Sequence, residues 1–321
     1  LKGSERLMSR PQEGLKEIFD QLNVKVEFHK DHLIIEGDGW QPHGSTISVN
    51  RQKSSQFVSG LLLAAWDLPV PLEIKWQDRG VSEGYWQMSV QVVKDFGMEL
   101  IEHDDGVTIP AHSPIKITNY TVESDISSTF AIAAYAALNG EAIFHDFPFH
   151  TLQPDKAFVD ILRKMGVGIE ITSNTLRVYR KLGTLANATS AAPAKAELRG
   201  VNWNLNECPD LFPVLATLCA FAQGPSRLDG APHLIFKESN RIQKSAELIH
   251  HLGSKTETLP DGMIISPAAV LRAPSLPFSY DTDHDHRLAF AAALVASQGY
   301  PVEILHPEVV DKSFPEFWQL L

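Results

Sequence analysis

A cluster of charged side chains opens an amphipathic segment in the second half of the chain. Lys237, Glu238 and Arg241 belong to the motif KESNR, and Lys244 follows them. From Arg241 onward the apolar residues recur with helical spacing, so these cations are predicted to crowd the first turns of a helix. Free N–H groups and the helix dipole already make that end positive. The cations therefore indicate an anion-binding site, although a solvated charged face explains them equally well when they are taken alone.

Four apolar segments each begin with polar residues that could bind a ligand. These residues are Ser54, Ser55 and Gln56 in the first segment, Asp125, Ser127 and Ser128 in the second, Asp210 in the third, and Asp285, His286 and Arg287 in the fourth. A single Ser or Asp at a helix start usually caps the helix. Helix N-termini also bind phosphate and carboxylate groups, and repetition at four equivalent positions favours a shared ligand site. Lys312, near a terminal apolar stretch, adds another cation.

Two kinds of helix alternate along the chain and would position these side chains. Apolar helices are predicted to begin near Ser54, Ser124, Pro209 and Asp283. Because they are apolar nearly all round, they must be buried. Amphipathic helices, each followed by a β-hairpin, are predicted to begin near Arg10, Tyr85, Asp155 and Arg241. The repeated unit is thus strand, apolar helix, strand, amphipathic helix and hairpin, which favours helices inside and strands outside.

Composition narrows the class of protein. The 321 residues suit two domains, and the formal net charge of -11 argues against a general nucleic-acid or anionic-membrane binder. Cys208 and Cys219 show no metal-ligand or disulfide pattern, which fits a reducing cytosol and predicts a cytoplasmic protein. Neither a signal peptide nor a membrane-spanning run is visible in the sequence. We also expect a monomer without nucleic-acid or membrane partners.

Eight motifs, in order along the whole chain, resemble those of the 5-enolpyruvylshikimate-3-phosphate (EPSP) synthase family of enolpyruvyl transferases. They are SERLMSRP, which gives Arg10, SSQFVSGLLLAA, VSEGYWQM, which gives Ser82 and Tyr85, ESDISS, CPDLFPVLA, KESNR, DHDHRLAFAAALVA and DKSFPEFW. The most specific is KESNR, which resembles the family pattern Lys-Glu-Ser/Thr-Asp-Arg.

The resemblance implies an α/β (α+β) fold, a two-domain inside-out α/β barrel built of repeated βαβαββ units, with buried helices and sheets outside. Residues 1–121 would be the remainder of the first enolpyruvyl transferase domain, and residues 122–321 the second. The family has six apolar helices, whereas four are visible here. The resemblance therefore implies an N-terminal part before Leu1, which in the family carries further substrate-binding segments.

The resemblance also implies a reaction. In this family the enolpyruvyl group of phosphoenolpyruvate moves to the 5-hydroxyl of shikimate-3-phosphate by addition and elimination, and phosphate is released. No metal or organic cofactor is needed. Asp210 would be the base near the 5-hydroxyl, and Glu238 the acid and base at the methylene carbon. His286 would orient the phosphate or Glu238. Lys312 would be a further catalytic residue.

Binding roles are implied in the same way, because two anionic substrates require many cations and hydrogen-bond donors. The predicted phosphoenolpyruvate ligands are Arg10, Gln56, Arg241, Arg287 and Lys312. The predicted shikimate-3-phosphate ligands are Ser54, Ser55, Gln56, Ser82, Tyr85, Asp210, Lys237 and His233.

Three positions depart from the family pattern. Asn240 replaces an acid, His233 stands where Asn is frequent, and Glu83-Gly84 replaces a cation followed by Pro. The first change is mild, since Asn also caps helices. Two alternatives stay open: the related UDP-N-acetylglucosamine enolpyruvyl transferase, and a degenerate, non-catalytic relative that binds anions or a partner.

Overall fold

The computed structural model describes residues 1–10, 12–52, 55–76, 80–181, 198–269 and 276–321. Its internal contacts divide the chain into two compact units, Leu1–Val122 and Glu123–Leu321. Each unit mixes helices and sheets and has its own hydrophobic core. No helix in these described ranges is long and apolar enough to cross a membrane.

The described residues of the first unit form a four-stranded sheet, a separate hairpin and four helices. The helices are α1 (Glu5–Met8), α2 (Glu13–Gln21), α3 (Gln56–Ala64) and α4 (Glu83–Asp95). The strands are β1 (Lys25–Phe28), β2 (Leu33–Glu36), β3 (Thr46–Ser48), β4 (Leu72–Lys75), β5 (Ile101–His103) and β6 (Gly106–Ile109). The sheet order is β3-β4-β6-β5, with β3 and β4 parallel and the other pairs antiparallel. The hairpin pairs β1 with β2.

The second unit is larger, and the part of it that the structure describes includes three sheets. Its helices are α5 (Ile126–Asn139), α6 (Phe158–Lys164), α7 (Phe212–Ala220), α8 (Arg241–His250), α9 (His286–Ser297) and α10 (Phe317–Leu320). Its strands are β7 (Glu141–His145), β8 (Gly168–Ile171), β9 (Thr175–Tyr179), β10 (Asn202–Asn204), β11 (Ser226–Asp229), β12 (Lys255–Leu259), β13 (Gly262–Ser266), β14 (Phe278–Asp281) and β15 (Val302–Leu305). Short 3₁₀ turns occupy Pro154–Ala157, Pro209–Leu211, Pro232–Phe236 and Pro307–Lys312.

One arrangement of elements occurs in both units. The segment from β3 to β6 runs strand, helix, strand, helix and hairpin, and the segment from β10 to β13 has the same order. The second segment forms a sheet of order β10-β11-β13-β12, which matches the order of the first. Each is a βαβαββ unit, the order of elements that the hydrophobic pattern predicts.

The apolar helices lie at the centre of the second unit. Every residue of α7 is buried, and α7 packs against both α8 and α9, while α5 contacts α9. Alanine-rich surfaces on α5 and α9 allow this close approach, since small side chains let helix backbones come together. The strands around them alternate between more and less buried side chains, as β7 and β9 do. Packing of α7, α8 and α9 also fixes where their N-termini lie.

Candidate active site

Three neighbouring helix starts of the second unit carry several of the predicted polar residues. Asp210 lies in the 3₁₀ turn that leads into α7, and Arg241 is the first residue of α8. The N-cap of α9 is Asp285, whose carboxylate accepts a hydrogen bond from the N–H of Arg287 at 3.0 Å. Because these helices pack together, the side chains at their starts converge.

Arg241 is the centre of this cluster, and its side chain is only 1% exposed. Its Nε donates to Oδ2 of Asp285 at 2.8 Å, and its Nη1 donates to Oδ1 of Asp210 at 2.7 Å. Its Nη2 donates to Oε2 of Glu238 at 2.8 Å. Burial opposes the charged form, but Asp285, Asp210 and Glu238 raise the pKa of Arg241 above its ordinary value. One buried guanidinium thus ties together three carboxylates from three segments.

Asp210 is shared among three cations. Besides Arg241, its carboxylate accepts a hydrogen bond from Nη2 of Arg287 at 3.0 Å, and Nζ of Lys237 lies 3.4 Å away. Burial acts to raise the pKa of Asp210, but Arg287, Lys237 and Arg241 together lower it well below its ordinary value. Asp210 is therefore ionised at neutral pH while these cations surround it.

Glu238 is the most accessible carboxylate of the cluster, with 30% of its side chain exposed. Burial and the neighbouring Asp285 act to raise its pKa, but Arg241 outweighs them, and the pKa of Glu238 is lowered. The sequence left open whether burial or the flanking cations would decide this balance. The Arg241 guanidinium decides it, so Glu238 is also an anion at neutral pH.

Asn240, which stands where the family keeps an acid, caps helix α8. Its side chain accepts a hydrogen bond from the N–H of Gln243 at 3.1 Å. The sequence suggested that Lys237 and Glu238 lie in the first turn of this helix. The helix begins only at Arg241, so both residues precede it. Lys244 is not part of the cluster either, since it pairs with Glu247 at 2.6 Å and lies over the ring of Tyr280.

Two histidines lie in or beside the cluster, and both are buried. Burial, and to a smaller degree the Lys237 ammonium, lowers the pKa of His233 to about 4. Burial and Arg287 lower the pKa of His286 to about 4. Among the residues that the structure describes, neither ring nitrogen of His233 has a hydrogen-bond partner. His233 therefore offers a neutral imidazole with free hydrogen-bonding capacity.

This His233 environment predicts a change in acid stability. The pKa is depressed from 6.5 in the folded chain, so between about pH 6.5 and 4 the unfolded chain binds a proton that the folded chain does not. Stability should fall as pH decreases through that window. His233→Asn should show a smaller fall, measured by urea unfolding at pH 7 and pH 5. An equal fall in both proteins would contradict this account of His233.

Lys312 lies at the end of the 3₁₀ turn Pro307–Lys312, and its side chain reaches toward the start of α9. Its Nζ donates to the carbonyl oxygen of His284 at 2.7 Å, immediately before Asp285 in sequence. The structure therefore places Lys312 beside the cluster, held by a backbone carbonyl rather than by one of the carboxylates.

Two acids that the sequence marked only as polar helix starts, with no specific role, lie in or near this cluster. Asp285, fully buried, accepts hydrogen bonds from both Arg241 and Ser239, the latter at 2.9 Å. Asp125 caps α5 by accepting a hydrogen bond from the N–H of Ser127, and it also accepts one from the hydroxyl of Ser128. Burial acts to raise the pKa of Asp125, but the Ser128 and Ser127 hydrogen bonds and, after them, Arg287 lower it. The sequence signal for both was an acid at the start of an apolar helix, which capping alone explains.

The predicted residues of the first unit lie at the starts of α3 and α4. Ser55 is the buried N-cap of α3, with no hydrogen bond from its side chain to the helix, and Gln56 is the exposed first residue. Ser82 is the buried N-cap of α4 in a left-handed conformation, and Tyr85 follows in its first turn. Helices α3 and α4 pack together, with a hydrogen bond between Ser59 and Ser89 among their contacts.

Two other predicted residues of the first unit are Ser54 and Arg10. Ser54 lies outside the described residues. Arg10 is half-buried, at the turn after α1, where its N–H donates to the carbonyl of Leu7 at 3.3 Å.

Comparison with known proteins places this geometry in a family. The sequence profile described as "EPSP synthase (3-phosphoshikimate 1-carboxyvinyltransferase)" matches residues 1–321. The chain belongs to the EPSP synthase family. The 3-phosphoshikimate 1-carboxyvinyltransferase of Syntrophobacter fumaroxidans is 32% identical, with 99% of this chain and 72% of that protein aligned. The enzyme of the same name from Methanothermobacter thermautotrophicus is 30% identical over 99% of this chain and 71% of its own length.

Solved structures agree on the fold. EPSP synthase from Acinetobacter baumannii superposes with a TM-score of 0.70 at 21% identity, covering 98% of this chain and 70% of that one. The enolpyruvyl transferase NikO from Streptomyces tendae superposes with a TM-score of 0.67 at 16% identity, covering 96% and 70%. The mixed helix-and-sheet architecture is thus the one that EPSP synthases share.

Proposed function

We propose that the protein transfers the enolpyruvyl group of phosphoenolpyruvate to the 5-hydroxyl of shikimate-3-phosphate and releases phosphate, a step of aromatic amino-acid biosynthesis. The observation that carries this proposal is the cluster around Arg241, in a chain that belongs to the EPSP synthase family. Such a cluster combines cations that bind phosphate and carboxylate groups with carboxylates that transfer protons.

Substrate binding would redistribute the charges of this cluster. In the structure, Arg241 and Arg287 donate hydrogen bonds to protein carboxylates. A phosphate or carboxylate of phosphoenolpyruvate bound beside them would accept some of these hydrogen bonds. It would also offset part of the positive charge of the two guanidinium groups. The pKa values of Asp210 and Glu238 would then rise, because each loses some of the cationic neighbourhood that lowers it. The anionic substrate itself would turn weak bases into effective ones.

Within this scheme Asp210 is the base for the 5-hydroxyl. Glu238 takes up a proton from solvent as its pKa rises on substrate binding, delivers that proton to the methylene carbon, and removes one in the elimination step. The exposure of Glu238 supports its assignment to a reacting atom. His286 and Lys312, both near the start of α9, orient the phosphate group, and Arg287 pairs with it. Arg10 and Gln56 complete the phosphoenolpyruvate ligands.

We assign residues of each unit separately to shikimate-3-phosphate. The hydroxyls of Ser54, Ser55, Ser82 and Tyr85 and the amide of Gln56 are assigned to its phosphate and ring. In the second unit, Lys237 and the neutral imidazole of His233, which has no hydrogen-bond partner among the described residues, are assigned to polar groups of the substrate. An imidazole both donates and accepts a hydrogen bond, so it can replace an amide at that position.

The larger architecture belongs to the same proposal. We assign residues 1–121 and 122–321 to the two enolpyruvyl transferase domains and their βαβαββ units to an inside-out barrel. A cytoplasmic monomer without cofactor, metal, nucleic-acid or membrane partner remains our expectation from composition and family.

A single assay tests the reaction. The chain, with any sequence that precedes Leu1 in its gene, should release phosphate from phosphoenolpyruvate only when shikimate-3-phosphate is added. Shikimate and UDP-N-acetylglucosamine are the comparison acceptors. Phosphate release with UDP-N-acetylglucosamine alone would establish the related transferase instead. A folded protein that releases no phosphate with any of these acceptors would support the degenerate, non-catalytic relative.

A further inference from the structure

A buried cation in the first unit has no role in the scheme above. The side chain of Arg51 is 2% exposed, and its Cζ lies 4.4 Å from the ring centroid of Trp76 and 6.0 Å from that of Trp86. The two tryptophans meet edge to face at 5.6 Å. An arginine stacked on tryptophan is held by cation–π attraction, so its guanidinium has a fixed position.

The charge of Arg51 is balanced by an accessible carboxylate. Its Nη2 donates to Oε2 of Glu83, whose side chain is 44% exposed. Its buried Nε has no hydrogen-bond partner among the residues described. A buried guanidinium with an open donor can bind a further acceptor, and an exposed glutamate can turn away into solvent at little cost. In this ion pair the Arg51 guanidinium is therefore held in place, whereas the Glu83 carboxylate can move.

The position of this pair connects it to the proposed phosphate ligands. The carbonyl oxygen of Arg51 accepts a hydrogen bond from the N–H of Val81 at 3.3 Å, next to Ser82. Glu83 is the first residue of α4 and directly follows Ser82, while Ser55 starts α3 four residues after Arg51. Arg51 thus joins the two segments whose serines are assigned to the phosphate of shikimate-3-phosphate.

We propose that Arg51 is a further ligand of this phosphate and that Glu83 is a counter-anion competing with the phosphate for it. The inference rests on the proposed function. When the substrate arrives, Glu83 turns into solvent and the phosphate takes its place at the guanidinium, which the tryptophans keep in position. The pair sets the affinity for shikimate-3-phosphate, because binding must first displace the carboxylate.

Glu83→Gln gives the decisive test, because it keeps the size of the side chain and leaves Arg51 buried against the tryptophans. Removing the competing charge should tighten binding of shikimate-3-phosphate about tenfold, as expected for a charge-assisted hydrogen bond to phosphate. Binding of shikimate, which lacks the phosphate, should not change. Both dissociation constants are measured by calorimetry, with Glu102→Gln, which removes the partner of Lys94 in the same unit, as the matched control.

A double-mutant cycle identifies the cation. Arg51→Met should weaken binding of shikimate-3-phosphate, and Arg51→Met/Glu83→Gln should bind no more tightly than Arg51→Met alone. Weaker binding in Glu83→Gln would show that Glu83 only holds the helix start in place, and would overturn the proposal. An unchanged affinity for shikimate-3-phosphate in a Glu83→Gln protein that still turns over this substrate would also overturn the proposal. That result would leave the proposed reaction intact. Failure of the unmodified protein to bind or turn over this substrate would instead reject the proposed function, and the inference with it.

Discussion

Replacing Glu238 by Gln should lower kcat by about 10²–10⁴-fold, the usual contribution of general acid–base catalysis. The amide keeps the size of the carboxylate, and its oxygen can still accept the hydrogen bond from Nη2 of Arg241. It cannot exchange a proton with the methylene carbon of phosphoenolpyruvate. We therefore expect the fold and substrate affinity to be retained while turnover is lost, measured as phosphate release at saturating substrates.

The matched control for this variant lies on the helix that follows Glu238. Glu247 in α8 is an exposed residue outside the cluster, and its carboxylate pairs with Lys244. Glu247→Gln removes this carboxylate and should leave kcat unchanged. Incorporation of solvent deuterium into the methylene group of the product provides a second readout, which should fall with kcat in Glu238→Gln. Normal turnover and normal deuterium incorporation in Glu238→Gln would assign the proton transfer to another residue.

The order of helices and strands follows from the sequence because each kind of element has its own hydrophobic period. A segment such as α7, apolar at every position, is stable only when it is buried on all sides. The amphipathic segment of α8 exposes one face and is followed by the hairpin of β12 and β13. These patterns predict the repeated unit without knowledge of the tertiary contacts.

The site was less predictable, because its electrostatics depend on contacts between residues distant in sequence. KESNR indicates an anion site, but the sequence does not reveal that Arg241 would bond to carboxylates 31 and 44 positions away. Asp285 looked like a simple helix cap, and only the packing of α8 against α9 makes it a partner of Arg241. Arg51 carried no motif at all, since its tryptophan neighbours come from separate segments.

Removal of the guanidinium at the centre of the cluster should have the largest effect on stability. Arg241→Gln leaves Asp210, Glu238 and Asp285 facing one another with much less compensating positive charge. Breaking a buried charge pair in this way costs about 3–5 kcal/mol of unfolding free energy. Arg177→Gln is the matched control, because Arg177 pairs with two carboxylates on an exposed sheet surface. Exposed pairs contribute about 0–1 kcal/mol, so this control should unfold almost as the unmodified protein does.

The pH dependence of this loss distinguishes an electrostatic cause from a packing defect. The pKa values of Asp210, Glu238 and Asp285 are lowered in the folded chain, so their pairing with Arg241 stabilises it above the carboxyl pKa values of the unfolded chain. That stabilisation is lost as pH falls through the lower pKa values of the folded state. The stability gap between the unmodified protein and Arg241→Gln should therefore be widest near pH 7 and narrow below about pH 4. A gap of constant size, measured by urea unfolding across this range, would assign the loss to packing around Arg241 and not to its charge.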